Sequence, residues 1–268
     1  MFKTRLLSGI VLVIILIATV GMGGYVLFSV LGIISLIGLS ELYKVVGVHN
    51  KVLGYAGYIA AVFYYLLLLT GHTEYITMFT ILFLVIAMAV YVFTFPSFGA
   101  EQVMTVFFGL FYVAVMLSYV YQTRNLPDGG ILVWLIFLSS WGCDTCAYCV
   151  GVLIGKHKMA PKLSPKKSVE GGVGGVLGAA LLGVLFALAV NRWASADADL
   201  LHYALICGAG GMISQIGDLA ASAVKRNHDI KDYGTLIPGH GGILDRFDSV
   251  IFTAPVIYYL AILLAGNI

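Results

Sequence analysis

The chain has 268 residues, 60% of them apolar and only 10% charged, a composition that excludes an ordinary soluble enzyme. Fifteen Lys and Arg against thirteen Asp and Glu leave a formal net charge of +2, which offers no basic field for nucleic acid and too little charge density for a disordered chain. Cys143, Cys146 and Cys149 crowd one apolar stretch, so the four cysteines build no secreted-type disulfide framework and are read as reduced thiols that pack helices.

A helix that crosses about 30 Å of hydrocarbon needs roughly 20 mostly apolar residues. In chain order the apolar runs predict about nine, at 6–22, 24–42, 52–70, 75–94, 103–121, 131–151, 171–190, 200–221 and 247–266. Gly21, Gly23 and Gly24 interrupt what would be one very long run, and a tight glycine turn lets two spans fit there. Lys3 and Arg5 ahead of the first run mimic a signal peptide, but no clear cleavage site follows and further spans do, so it is read as a retained helix. The predicted fold class is an all-α polytopic membrane bundle.

Each added helix moves later loops to the opposite side, so the basic residues test the count. With the N-terminus inside, one side receives Lys3, Arg5, Lys44, Lys51, Lys156, Lys158, Lys162, Lys166, Lys167, Lys225, Arg226, Lys231 and Arg246; only Arg124 and Arg192 fall on the other. This 13-to-2 split predicts a cytoplasmic N-terminus and an outside C-terminus. Residues 1–268 read as a single integral membrane domain, with 1–130 as a scaffold for packing or dimerisation and 131–268 as the part that carries the catalytic site. Function is expected in two long cytoplasmic loops, 152–170 and 222–246. Small-xxx-small spacings at Gly171/Gly175 and Gly174/Gly178 allow close helix approach, and such faces also suit a homodimer.

A carboxylate inside a span costs about 2.5–3.5 kcal/mol on insertion scales and therefore faces the bundle interior for a purpose. Two are expected here. Asp144 falls about 13 residues into a span that starts outside, roughly 20 Å across, and Asp218 lies deeper toward the cytoplasm. Asp245 and Asp248, three apart at the start of the last helix, share one of its faces. Helical spacing adds two polar stripes, Ser140, Asp144 and Tyr148 on one helix and Ser214, Asp218, Ser222 and Lys225 on another, of the kind that line a polar cavity. Carboxylates gathered at one depth repel unless a cation sits among them, and their oxygens suit Mg²⁺ when substrate phosphates complete its shell. The plainer alternative pairs Asp218 with Lys225 and Asp245 with Arg226 or Arg246 merely to hold helices together.

The loop from Gly155 to Glu170 carries five lysines. Topology or anionic lipid accounts for a basic loop by itself, but two prolines stiffen this one and Ser168 marks a helix start, a combination suited to holding phosphate. Gly151 to Lys156 is not a P-loop, since the glycines are too close, His157 replaces Ser or Thr and no strand precedes them. The C-x-x-C spacings lack a second Cys/His pair to complete a zinc tetrahedron.

The segment from Ser222 to Asp248 is the most specific feature of the chain. Ser222, Lys225, Arg226, Lys231, Asp232, Pro238, His240, Gly241, Gly242, Asp245, Arg246 and Asp248 fill the fixed places of a signature, and the segment resembles that of the phosphatidate cytidylyltransferases, or CDP-diacylglycerol synthases. Asp144-Thr145-x-Ala147-Tyr148 and Ser164-Pro165-Lys166-Lys167-Ser168-x-Glu170-Gly171 are similar to further family segments, whereas residues 1–130 match only as apolar helices. Cys146 stands where the family more often has glycine or alanine, and Ser168-Val169 replaces a commoner Thr-Trp.

The resemblance implies transfer of CMP from CTP to phosphatidate, giving CDP-diacylglycerol and pyrophosphate, in the lipid bilayer of a bacterial inner membrane with the site facing the cytoplasm. It implies catalytic roles for Asp144, Asp218, Lys225, Asp245 and Asp248, with Mg²⁺ on Asp218 and Asp245, Asp144 and Asp248 near a second cation such as K⁺ or behind the first ligands, and no nucleic acid partner. Substrate binding falls to Ser164, Lys166, Lys167, Ser168, Ser222, Arg226, Lys231, His240, Gly241, Gly242 and Arg246. Which basic residue meets which substrate stays open, as does whether His240 shapes its turn or touches phosphate. A CTP-dependent lipid-alcohol kinase shares parts of the late motif and is the nearer alternative. A secondary transporter is the more distant one, because its charges would lie near the midplane in repeated halves. The D-G-x-x-A-R string of the CDP-alcohol phosphotransferases is absent.

Overall fold

The computed structural model describes residues 2–194 and 196–265. Nine helices follow one another among them: α1 (Phe2–Met22), α2 (Gly24–Val45), α3 (Val52–Thr70), α4 (Thr73–Phe93, opening with a 3₁₀ turn), α5 (Ala100–Arg124), α6 (Gly129–Ile154), α7 (Val169–Trp193), α8 (Leu200–Asn227) and α9 (Leu244–Ala265). All but α1 are long and apolar enough to cross a membrane, and α1 contributes the shorter apolar stretch Leu7–Met22. Ile59, Val85 and Leu181 are each more than half exposed, a surface that lipid tolerates and water does not. The chain is an all-α polytopic membrane protein, as its composition predicts.

The break between α1 and α2 falls at the predicted glycines. Gly23 holds φ 62 and ψ −151, a backbone conformation essentially confined to glycine, and this turns the chain without a loop. Elsewhere the helices outrun the apolar stretches. α8 continues to Asn227 and α9 begins at Leu244, so Lys225, Arg226, Asp245 and Arg246 are helical and the loop expected at 222–246 shrinks to 228–243. Hydropathy marks only the part of a helix that lies in lipid, whereas backbone bonding and caps decide where it ends.

The chain divides into two compact units. The first comprises Met1–Ser118 and Asp232–Arg246, the second Tyr119–Lys231 and Phe247–Ile268. Within the first, Tyr43 of α2 packs against α3 and the first part of α5: its hydroxyl donates to Val106 O at 3.1 Å, and its side chain leaves no room for a Cβ at Gly57 and crowds one at Gly109. Buried hydroxyl pairs, Ser35 with Tyr65 at 2.8 Å and Tyr64 with Ser118 at 2.9 Å, satisfy polar groups that lipid would strand.

In the second unit α7 lies against both α6 and α8. A Cβ at Gly174 would strike Val150, one at Gly175 would meet Ala147 and Cys143, and one at Gly178 would stand 2.5 Å from Cys146 Sγ. These glycines and cysteines are thus spent on helix packing inside the unit, and the glycine faces give no argument for a second chain. A two-stranded antiparallel hairpin, β1 (Lys158–Ala160) with β2 (Ser164–Ser168), joins α6 to α7; the sequence foresees only a stiff loop there.

Candidate functional site

In the second unit the lysine-rich strand and three helices supply the charged groups. Asp144 projects from α6, Asp218 from α8 and Asp248 from the first turns of α9. Lys167, near the end of β2, places its Nζ 2.5 Å from Asp218 Oδ2, with both side chains about three-quarters buried. Ser222 Oγ donates to Asp218 Oδ1 at 3.4 Å, Ser249 Oγ to Asp144 Oδ2 at 3.5 Å, and the backbone N–H of Ser249 to Asp248 Oδ1 at 2.8 Å. Asp218, Asp144 and Lys225 all lie within electrostatic reach of the buried Asp248. Three carboxylates that the sequence sets at one depth therefore come together with two lysines. Like charges this close favour any further cation that enters.

On β2 the burial changes between the two lysines: Pro165 and Lys166 are exposed, while Lys167 and Ser168 are covered. Ser168 then caps α7, its Oγ accepting the Gly171 N–H at 3.1 Å, as its position at the start of a glycine-rich helix predicts. Glu170 ties the two ends of the segment together: Oε2 accepts the N–H of Lys156 at 3.1 Å and that of His157 at 3.2 Å, while Oε1 lies 2.5 Å from His157 Nδ1. Ser164 is half-buried at the start of β2. Arg226 Nη1 donates to Ile230 O at 3.1 Å and so closes the end of α8, and Lys231 is exposed.

The first expected polar stripe does not form. Ser140 donates to Ile136 O at 2.8 Å within its own helix and Tyr148 is 73% exposed, so only Asp144 of the three joins the charged group. A π-helical turn at Leu138–Gly142 rotates the register of α6 between Ser140 and Asp144. In the second stripe Asp218 and Ser222 hold together, whereas Ser214 Oγ is buried and has no hydrogen-bond partner among the described residues.

The first unit contains the second half of the signature, 232–246, and its carboxylates are bonded differently. Asp245 is 6% exposed, and its Oδ2 accepts the backbone N–H of Tyr233 at 2.8 Å and that of Gly242 at 3.0 Å. Gly241 has φ 85, and a Cβ there would stand 2.9 Å from the same oxygen, so the turn requires glycine twice over. Ile237 N–H bonds Gly241 O at 2.8 Å, and Ser8 Oγ lies 2.9 Å from His240 Nδ1 and 3.1 Å from Pro238 O. His240 is thereby tied to α1 through one ring nitrogen. Arg246 Nε is buried and has no hydrogen-bond partner among the described residues.

One residue of this unit escapes the sequence. Only Asp144 and Asp218 were expected as carboxylates within spans, yet Glu41, in the last turns of α2 and inside the predicted span 24–42, is 3% exposed. Its Oε1 accepts the N–H of Ile243 at 3.0 Å and its Oε2 that of Leu244 at 2.8 Å. A carboxylate at the end of an apolar helix is the signal that was available.

Among the described residues no three His, Cys, Asp or Glu side chains converge tightly enough to form a ready metal cage. The donor set fits Mg²⁺ nevertheless, since this ion takes few protein carboxylates and fills its shell with water and phosphate oxygens.

The chain matches the model of the cytidylyltransferase family over residues 3–264. It is 31% identical over 269 residues to the phosphatidate cytidylyltransferase of Bacillus subtilis (strain 168), covering 96% of this chain and 97% of that protein. It is 32% identical over 265 residues to the enzyme of that name from Staphylococcus epidermidis and 33% identical over 268 to that of Staphylococcus aureus (strain COL), each match covering 97% of this chain and 99% of the relative. The likeness thus extends through the N-terminal helices, where the sequence alone showed only apolar residues, and the chain belongs to the cytidylyltransferase family.

Proposed function

We propose that this protein transfers CMP from CTP to phosphatidate. A phosphate oxygen of the lipid attacks the α-phosphorus of CTP, the bond from that phosphorus to the bridging oxygen breaks, and pyrophosphate leaves, giving CDP-diacylglycerol. Family membership and the names of three relatives matched over nearly their full length support this reading. The observation that carries it in the molecule is the gathering of Asp144, Asp218 and Asp248 with Lys167 and Lys225. Both reactants are anionic, so the site must neutralise charge and align oxygen with phosphorus; it needs no strong base, because a phosphate monoester is already ionised near neutral pH.

Mg²⁺, when bound, polarises phosphate oxygens and stabilises the departing charge. Asp218 with Asp248 would hold it within the second unit, Asp144 would stand behind them, and the assignment of Asp245 to a cation rests on the sequence. Lys167, beside Asp218, and Lys225, near Asp248, would receive phosphate oxygens of the substrates. Arg246, with its buried unpartnered Nε, and the exposed Lys166 and Lys231 are assigned to substrate phosphates. Thirteen of fifteen basic residues on one side assign that side, with the hairpin and the signature loop, to the cytoplasm of a bacterial inner membrane.

The test is pyrophosphate release from CTP by the detergent-purified protein with Mg²⁺, with and without phosphatidate, beside Asp218→Asn and Asp245→Asn. Phosphatidate-dependent pyrophosphate that both variants lose is the expected result. CDP released with a lipid alcohol would establish the kinase alternative, and ion flux in proteoliposomes without CTP would establish transport.

A further inference from the structure

Burying an ionised carboxylate costs several kcal/mol unless hydrogen bonds replace its water, so a buried Glu that persists is fully engaged. Glu41 meets this demand with both oxygens, and its donors are the backbone N–H groups of Ile243 and Leu244, 202 and 203 residues away. Those groups sit at the start of α9, where a helix leaves its first N–H groups unsatisfied and its dipole favours negative charge. Glu41 is therefore the N-terminal cap of α9, supplied by a distant helix.

The contact also reaches into the signature loop. A Cβ on Gly234 would come 2.5 Å from Glu41 Oε1, and a Cβ on Gly242 would come 2.5 Å from both carboxylate oxygens. The carboxylate is seated between these two glycines. Gly242 in turn donates its N–H to Asp245 Oδ2, and Asp245 also holds Tyr233. Loop and helix start are thus clamped by two carboxylates, Glu41 on the outside and Asp245 from within the segment. His240, Gly241, Asp245 and Arg246 all lie within the clamped stretch.

We propose that Glu41 is a positioning residue: it fixes the loop 234–243 and the first turn of α9 in the arrangement in which His240, Asp245 and Arg246 serve the reaction. The proposal rests on the cytidylyl-transfer reading for its catalytic part and on geometry alone for the clamp. Glu41→Gln tests it with almost no change in volume. The amide keeps one acceptor but turns an NH₂ toward the second backbone N–H, so one bond becomes a meeting of two donors.

In the full-length, detergent-purified variant kcat for pyrophosphate release should fall about 10- to 100-fold while KM for CTP moves less than about threefold, since misplacing groups by an ångström loses rate more than binding. Amide hydrogen exchange of residues 234–244 should quicken while that of α7 and α8 stays as in the wild type. Gly234→Ala presses on the same oxygen from the other side, keeps the charge, and should produce the same pattern at about three- to tenfold in kcat; it decides the matter if Glu41→Gln does not fold. A merely structural Glu41 would lower the melting temperature and the folded yield, leaving kcat per folded molecule and the local exchange pattern unchanged, and that result overturns the proposal. If the wild type releases no phosphatidate-dependent pyrophosphate, the proposed reaction fails by itself. Faster exchange at 234–244 in the variants would still establish the clamp, and unchanged exchange would refute it.

Discussion

The two units treat their buried carboxylates in opposite ways. In the first, Glu41 and Asp245 are engaged by backbone N–H groups, two donors each at 2.8 to 3.0 Å. In the second, Asp218 meets a lysine ammonium at 2.5 Å, while the Ser249 hydroxyl reaches Asp144 and the Ser249 N–H reaches Asp248. Backbone donors cannot leave, so a carboxylate they hold organises the chain. A carboxylate whose partner is a lysine ammonium beside other carboxylates can exchange that partner for a metal ion, which leaves the ammonium for a substrate phosphate. The contrast separates residues that hold the signature in shape from residues available for chemistry, although both carry the same functional group.

The sharpest attempt to break this contrast is neutralisation in the second unit. Asp218→Asn is expected to cut phosphatidate-dependent pyrophosphate release by about 10²- to 10³-fold with the melting temperature close to wild type; a variant that loses stability and keeps its rate would make Asp218 a structural partner of Lys167. Removing that partner comes next. Lys167→Met should lower kcat/KM for CTP by about 10- to 100-fold, and because both side chains of the pair are about three-quarters buried it should also lower the melting temperature.

In the first unit an effect on the fold should join the effect on rate. Asp245→Ala strands the Tyr233 and Gly242 N–H groups and should cost about 1–3 kcal/mol, visible as a lower melting temperature in detergent, whereas Asp245→Asn retains an acceptor and should melt near wild type. Equal melting of the two would show that those bonds do not hold the loop. The smallest effect expected is that of Ser168→Ala, which removes the cap of α7 and should cost about 1 kcal/mol with partial loss of rate, since Lys167 precedes it in the same strand.

The sequence by itself determined the class of the protein and its stock of chemistry. Nine apolar runs, the glycine break at Gly23, the cap at Ser168, the small-residue spacings of the glycines and cysteines, and the signature residues are local patterns, each written within its own helix or turn. Only the tertiary structure decided how the carboxylates are used. Whether Asp245 holds a loop, whether Lys167 reaches Asp218, and whether Glu41 caps a helix 202 residues away depend on which backbone N–H or ammonium stands within 3 Å. A π-helical turn in α6 shifts Ser140 out of register with Asp144, and Tyr148, one turn beyond, is exposed, so the stripe drawn through the three by ideal spacing does not form. Hydrogen bonds are short and directional, so their partners are set by the position of whole helices, and that position is a sum over packing contacts that no local pattern contains.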